Sequence, residues 1–384
     1  MEERYDIFFD LLASQLGGRK LDENIENRLS LDMARSVYSL AKSQDMAHII
    51  GNALAGVSTL DADIRAKFSK QQLVALMRYE QLSFELGVIR AAFEEAGIDF
   101  MPLKGSVIRD LYPEPYFRTS CDIDILIHEE ELERAISVLE AKSYTVRGEK
   151  SFHDISLFSE GGIHLELHFN ILENEEKLDR MLSRVWEFAT PVREGSHEYR
   201  MTNEYLFFHL IAHAAYHFIA GGCGVKPVAD IWLLEEKLEY NRTTLSEYCR
   251  ACGIESFREK LVALSLVWFE DGEYDEVTSH MAEYILEAGV YGATENKVAI
   301  NQSKQGSKLG YLWRRIFIPY DDLKFYYPKL QEKKYLLPYY EVKRWCRLVF
   351  GGDLKRSVNE IKTGVSMSDE KSNYVNSLLE KLEL

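Results

Sequence analysis

Apolar residues in the first hundred positions recur three and four apart. Leu82, Leu86, Ile89 and Phe93 follow an i, i+4, i+7, i+11 stripe, the spacing that gathers side chains on one face of an α-helix. Gly97 then supplies a stop, because glycine takes the left-handed backbone that closes a helix. Residues 1–97 are therefore expected to form an N-terminal helical region. The texture changes at residues 98–106, IDFMPLKGS, a short apolar run ending in Lys-Gly-Ser, which predicts a strand entering a turn and a helix. Strict alternation follows in CDIDILI (121–127) and IHLELHFNI (163–171), with strand-like pieces near 144–147 and 152–158 and an acid-started helix in EEELERAISVLEAKSY. Residues 98–200 thus predict a small mixed sheet backed by helices on one side. From TNEYLFFHLIAHAAYHF through VADIWLLEEKLEY the period is helical again, so 201–384 is expected to be a C-terminal helical domain. The fold class is α+β, a small sheet core flanked by helical regions.

A chain of 384 residues exceeds what one core usually organises, in keeping with several domains. The formal charge of −16 repels polyanions, so a nucleic-acid partner is not expected. There is no apolar run of the ~20 residues a spanning helix needs, and the N-terminus lacks a secretory pattern. Five cysteines with no framework spacing fit reduced thiols and a cytoplasmic location. Cys249 and Cys252 form a C-x-x-C without a second pair, which reads as helix packing.

The alternation carries the candidate chemistry. In a strand, Asp122 and Asp124 share one face while Ile123 and Ile125 share the other. Two adjacent carboxylates repel unless a hard cation neutralises them, and magnesium or manganese fits oxygen donors. His164, Glu166 and His168 share a face in the same way. If the two strands are neighbours, Asp122, Asp124 and Glu166 converge as metal ligands and catalytic acids, suited to two ions roughly 4 Å apart. Lys104, Gly105 and Ser106 stand at a turn whose N–H groups favour phosphate, and Arg118 is a cation of the kind that clamps phosphoryl oxygens. These four are the candidate nucleotide-binding residues.

The order LKGS, LYPEPYFRTSCDIDILI and HLELH resembles the polymerase-beta-type nucleotidyltransferase superfamily, and within it an uncharacterised bacterial nucleotidyltransferase family. The resemblance covers roughly residues 95–240. It implies a nucleotidyltransferase core with a triphosphate at Gly105 and Ser106 and metals at Asp122, Asp124 and Glu166. The stretch from Gly105 to Asp122 is longer than in compact members, with LYPEPYFR as an extra turn. The implied activity is metal-dependent transfer of a nucleoside monophosphate, from a triphosphate such as ATP to a hydroxyl of a small molecule or protein. Glu166 is the candidate for the acceptor's proton. A nucleotide-binding regulatory module without turnover is the alternative.

His209, His213 and His217 recur every four residues, which either lines the cleft, with Asp230 or Lys226 closing a second metal site, or packs a helix on the sheet domain. His164 and His168 are further cleft-lining candidates. Residues 311–356 are basic and aromatic, including Arg314, Arg315, Lys355 and Arg356, and read as solvated amphipathic helices.

Overall fold

The computed structural model describes residues 2–290, 292, 295–298, 300, 317, 318, 320, 323, 324, 327, 329–350 and 369–384. Arg314, Arg315, Lys355 and Arg356 of the basic aromatic segment lie outside these. Four helices open the chain: α1 (Glu3–Leu16), α2 (Ile25–Arg28), α3 (Leu31–Ser43) and α4 (Ala47–Ala53). The 35-residue α5 (Ala62–Ala96) follows. Its start is set by Asp61, whose carboxylate accepts the N–H groups of Asp63 and Ile64, and its stop by Gly97 at φ 64°. The stripe Leu82, Leu86, Ile89 and Phe93 is buried, as the spacing predicted.

The sheet strands are β1 (Phe100–Pro102), β2 (Asp122–Ile127), β3 (Thr145–Val146), β4 (Asp154–Phe158) and β5 (His164–His168). They lie in the order β1-β2-β5-β4-β3, with β2 and β5 parallel and the other pairs antiparallel. Between them come α6 (Gly105–Ile108) and α7 (Leu132–Glu140). The helix expected after Gly105 is only one turn long and gives way to 3-10 turns at Arg109–Leu111 and Pro115–Phe117. Pro113 and Pro115 account for this, since proline breaks a helix and drives its predecessor toward extended backbone. Next come α8 (Glu176–Leu182), the hairpin β6 (Ala189–Pro191) and β7 (Tyr199–Met201), then α9 (Asn203–Ile219), α10 (Lys226–Lys237), α11 (Arg242–Ala251), α12 (Glu255–Phe269) and α13 (Glu276–Ala288). The fold is α+β, with a five-strand mixed sheet between N-terminal and C-terminal helices.

Two hydrophobic cores meet at this sheet. One face of β2 and β5, bearing Ile123, Ile125, Ile127, Leu165 and Leu167, packs with Leu86, Ile89 and Phe93 of α5 and Leu132 and Leu139 of α7. Each of these five strand residues is completely buried, which stabilises the arrangement by roughly 1.5–3 kcal/mol per side chain. That burial, repeated along both strands, decides which face the acids take. The larger core joins α1, α3, α4 and the first half of α5 to α9–α13, and takes in Met101, Leu103 and Leu126 from the other side of the sheet. α5 therefore belongs to both cores, with Ile64 and Phe68 in one and Leu82 to Phe93 in the other.

Candidate active site

The acid face of the sheet opens into a cavity of about 660 Å³. Asp122 and Asp124 of β2 enter it, and the parallel register sets Asp124 opposite Glu166 and Asp122 opposite His164. Ligand atoms of Asp122, His164 and Glu166 lie within 4.8 Å of one another, as do those of Asp124, Glu166 and His168. Glu166 is common to both groups. The three acids foreseen from alternation are thus brought together, with two histidines beside them.

Their electrostatics differ sharply. Asp124 is almost completely buried, yet its carboxyl lies well below the usual range: burial opposes this, but the Lys104 ammonium and the His168 ring outweigh it. Lys104 Nζ donates to Asp124 Oδ1 at 3.1 Å and His168 Nε2 donates to the same oxygen at 3.0 Å. His168 Nε2 also lies 3.5 Å from Glu166 Oε2. Despite burial, those two carboxylates raise the His168 pKa to about 9, so the ring is a charged donor at neutral pH. Its partner on the outer side is His153, whose ring stacks on it at 5.5 Å. Asp122 has no such cation to itself. Burial first, and then the charges of Asp124 and Glu166, push it up to about 6. This is the negative charge in excess that a divalent ion would relieve, and carboxylate oxygens are the donors that magnesium and manganese prefer. The residues present fit such an ion.

Other predicted residues are placed differently. Lys104 has φ 46°, a left-handed backbone rare outside glycine, and this turn aims its side chain at Asp124. Gly105 lines the cavity. Ser106 is buried, and its N–H closes on Leu103 O at 3.1 Å while that of Val107 closes on Lys104 O at 3.0 Å. The turn consequently spends the Ser106 and Val107 N–H groups on itself.

Arg118 was expected as a phosphate clamp and Asp230 as part of a histidine metal site; instead they hold each other. Arg118 Nε donates to Asp230 Oδ1 at 2.7 Å and Nη2 donates to Oδ2 at 2.8 Å, while Nη1 donates to Thr119 O. Tyr112 adds its hydroxyl to Asp230 Oδ1 at 2.7 Å. Burial and the Asp230 charge raise the Tyr112 pKa well above the ordinary value, so the phenol remains a donor. Arg118 still lines the cavity wall, with its fork committed to α10.

Residues that local patterns did not flag complete the walls. Lys42 and Ser43 come from the end of α3, Asp45 from the turn to α4, and Glu173 from the loop after β5. Asp45 accepts from Lys226 Nζ and Thr119 Oγ1, both at 2.6 Å. Its φ of 55° at a non-glycine position is the only local sign of this placement, and it is conformational, hence invisible in sequence. His209, His213 and His217 all line the cavity from α9. Among the described residues they form no three-ligand metal group, so the second metal site considered for this helix is not built. Instead, His213 pairs with Glu173 and His217, and buried His209, held neutral near pKa 3 by burial and then by His213, leaves Nδ1 without a partner.

A protein-family model described as an uncharacterised nucleotidyltransferase matches residues 33–270, which contain the whole sheet, α9, α10 and every cavity residue named above. No curated protein matches the chain. No described helix is long and apolar enough to cross a membrane.

Proposed function

Given that the chain belongs to this uncharacterised nucleotidyltransferase family, we propose that it moves a nucleoside monophosphate from a nucleoside triphosphate to a hydroxyl acceptor. The acceptor is a small molecule or a protein, and the chemistry is of the polymerase-beta type with magnesium or manganese. The observation that carries this reading is the parallel pairing of β2 with β5, which puts Asp122, Asp124 and Glu166 on one face of a cavity large enough for a nucleotide.

In the transfer, the acceptor oxygen forms a bond to the α-phosphorus and the bond to the bridging oxygen breaks, so pyrophosphate leaves with the electron pair. Asp122, Asp124 and Glu166 would hold the divalent ions, whose positive charge would offset the negative charge developing on the phosphate oxygens. Lys104 and the protonated His168 keep Asp124 ionised and fixed in direction. Lys104 also sets a cation at the mouth of β2, beside the acids, where phosphate oxygens would find it. Lys226 and Arg118, which also line the cavity, are tied to Asp45 and Asp230, so they shape it and contribute charge without reorganising.

Glu166→Gln is the decisive variant. ATP, GTP, CTP and UTP are screened by thermal shift with and without magnesium, and release of nucleoside monophosphate and pyrophosphate is followed by chromatography. Wild type should show a magnesium-dependent shift and slow release with water as acceptor. Glu166→Gln, which breaks both donor groups, should lose turnover by about 100-fold or more while still binding nucleotide weakly. No shift and no pyrophosphate from any triphosphate would sink the proposal.

A further inference from the structure

The transfer described above must dispose of the acceptor's proton, and a carboxylate such as Glu166 is a weaker base for it while its oxygens hold an ion. The same cavity carries groups that this reading leaves without a task. Glu173 follows β5, and His213 and His217 stand one turn apart on α9. His213 Nδ1 donates to Glu173 Oε1 at 2.7 Å, with side chains 23% and 16% exposed. This bond fixes the tautomer: the proton resides on Nδ1 and the lone pair on Nε2. That lone pair is turned to His217, whose Nε2–H donates to it at 3.1 Å. Both rings line the same cavity as Asp122 and Asp124.

We propose that His213, oriented by Glu173, is the general base of the transfer, and that the acceptor hydroxyl takes the place of the His217 N–H on His213 Nε2. The proposal rests on the transferase reading given above. As the acceptor oxygen bonds to the α-phosphorus and pyrophosphate departs, the hydroxyl proton passes to Nε2. The resulting imidazolium is stabilised by the Glu173 carboxylate through Nδ1–H, and later releases its proton to solvent. The roles follow the logic of a base whose far nitrogen is held by a carboxylate. Burial, and after it the Lys104 charge, keeps His213 well below its ordinary pKa, and burial with His213 brings His217 to about 4. Both rings are therefore neutral at pH 7, the state in which one can accept and the other donate.

Three measurements test it on the full chain. Selective ¹⁵N labelling of histidine, with His213→Gln for assignment, should show a neutral ring with Nε2 unprotonated at pH 7. A ring carrying its proton on Nε2 would overturn the proposal whatever the turnover. Release of nucleoside monophosphate and pyrophosphate from ATP, GTP, CTP and UTP with manganese, water serving as acceptor, should fall about 100- to 10,000-fold in His213→Ala, with nucleotide affinity by titration calorimetry unchanged. Added imidazole should restore part of that rate in His213→Ala and none in Glu166→Gln, a rescue that a merely structural histidine would not show. Turnover equal to wild type in folded His213→Ala, or a loss that imidazole does not mend, overturns the base while leaving the transferase standing. Wild type that releases no pyrophosphate from any triphosphate overturns both.

Discussion

Replacing Asp122 by Asn keeps the side chain's shape and removes a charge that the metal-free protein holds at a cost. Burial, together with Asp124 and Glu166, raises the folded-state pKa of Asp122 from 3.8 to about 6. A raised carboxyl pKa means that the native state binds the proton more tightly than the unfolded chain. Stability therefore falls as pH climbs between about 4 and 6 and stays lower above that window. A gap of roughly two pKa units at about 1.4 kcal/mol each puts the full cost near 3 kcal/mol, an upper figure because the group is only half-buried. In EDTA at pH 7.5, Asp122→Asn should be more stable than wild type to urea by about 1–3 kcal/mol. At pH 5 the gain should shrink to about half, and near pH 3.5 it should vanish, since both forms are then neutral. Magnesium or manganese should stabilise wild type through preferential binding to the native state and leave the variant nearly unmoved, closing the gap or reversing it. A variant no more stable than wild type in EDTA at pH 7.5 would refute the reasoning, as would a gain of equal size at pH 3.5.

His168 gives the opposite slope. Its pKa is raised from 6.5 to about 9, so its stabilising contribution is complete below about pH 6.5 and is lost as pH rises through 9. Urea unfolding of wild type in EDTA at pH 6 and pH 10 should reveal a loss of up to about 3 kcal/mol that is missing from the same comparison in His168→Asn. The Arg118–Asp230 pair is 12% and 4% exposed, and removing one partner strands the other without solvent. Asp230→Ala should lower stability by about 3–5 kcal/mol, seen as a lower Tm and urea midpoint, with or without nucleotide present. An Arg118→Ala variant that loses nucleotide affinity at undiminished stability would restore Arg118 as a phosphate clamp.

What was legible in the sequence was what a single segment decides. The period of two in CDIDILI and IHLELHFNI reports which residues share a face, and the Leu82–Phe93 stripe reports a helix against a core, because burial enforces both patterns locally. The adjacency of β2 and β5 was a condition, and it holds because β5 inserts between β2 and β4, a matter of topology that no segment encodes. Arg118 was read as a clamp because a cation before an acidic strand is attractive to phosphate. The carboxylate it holds in the folded chain is 112 residues away on α10, and only packing of the helical half brings Asp230 to it. Lys42, Asp45 and Glu173 left no mark for the same reason. Asp45 meets Lys226 across 181 residues, and its surroundings consist of elements that fold from opposite ends of the matched region. Nor did the stripe disclose that α5 enters a second core at its N-terminal end: Ile64 and Phe68 share the helical face of Leu82, Leu86 and Phe93, and only tertiary packing decides which core covers each part of it.

The division of β2 and β5 between a carboxylate face and a fully buried aliphatic face also governs how this gene can change length. Inserting or deleting one residue in either strand would exchange the faces, presenting Ile123 or Leu165 to the cavity and driving Asp124 or Glu166 among Phe93, Leu132 and Leu139. Such a protein would fail to fold before its chemistry could be put to selection. A change of length is tolerated better in the connections, such as the exposed Glu160–Gly162 turn between β4 and β5, where Gly162 at φ 78° already takes the bend. Quality control of the folded chain thus polices the spacing of the acids, and a lineage can alter its acceptor through the loops and helices while the spacing stays under guard.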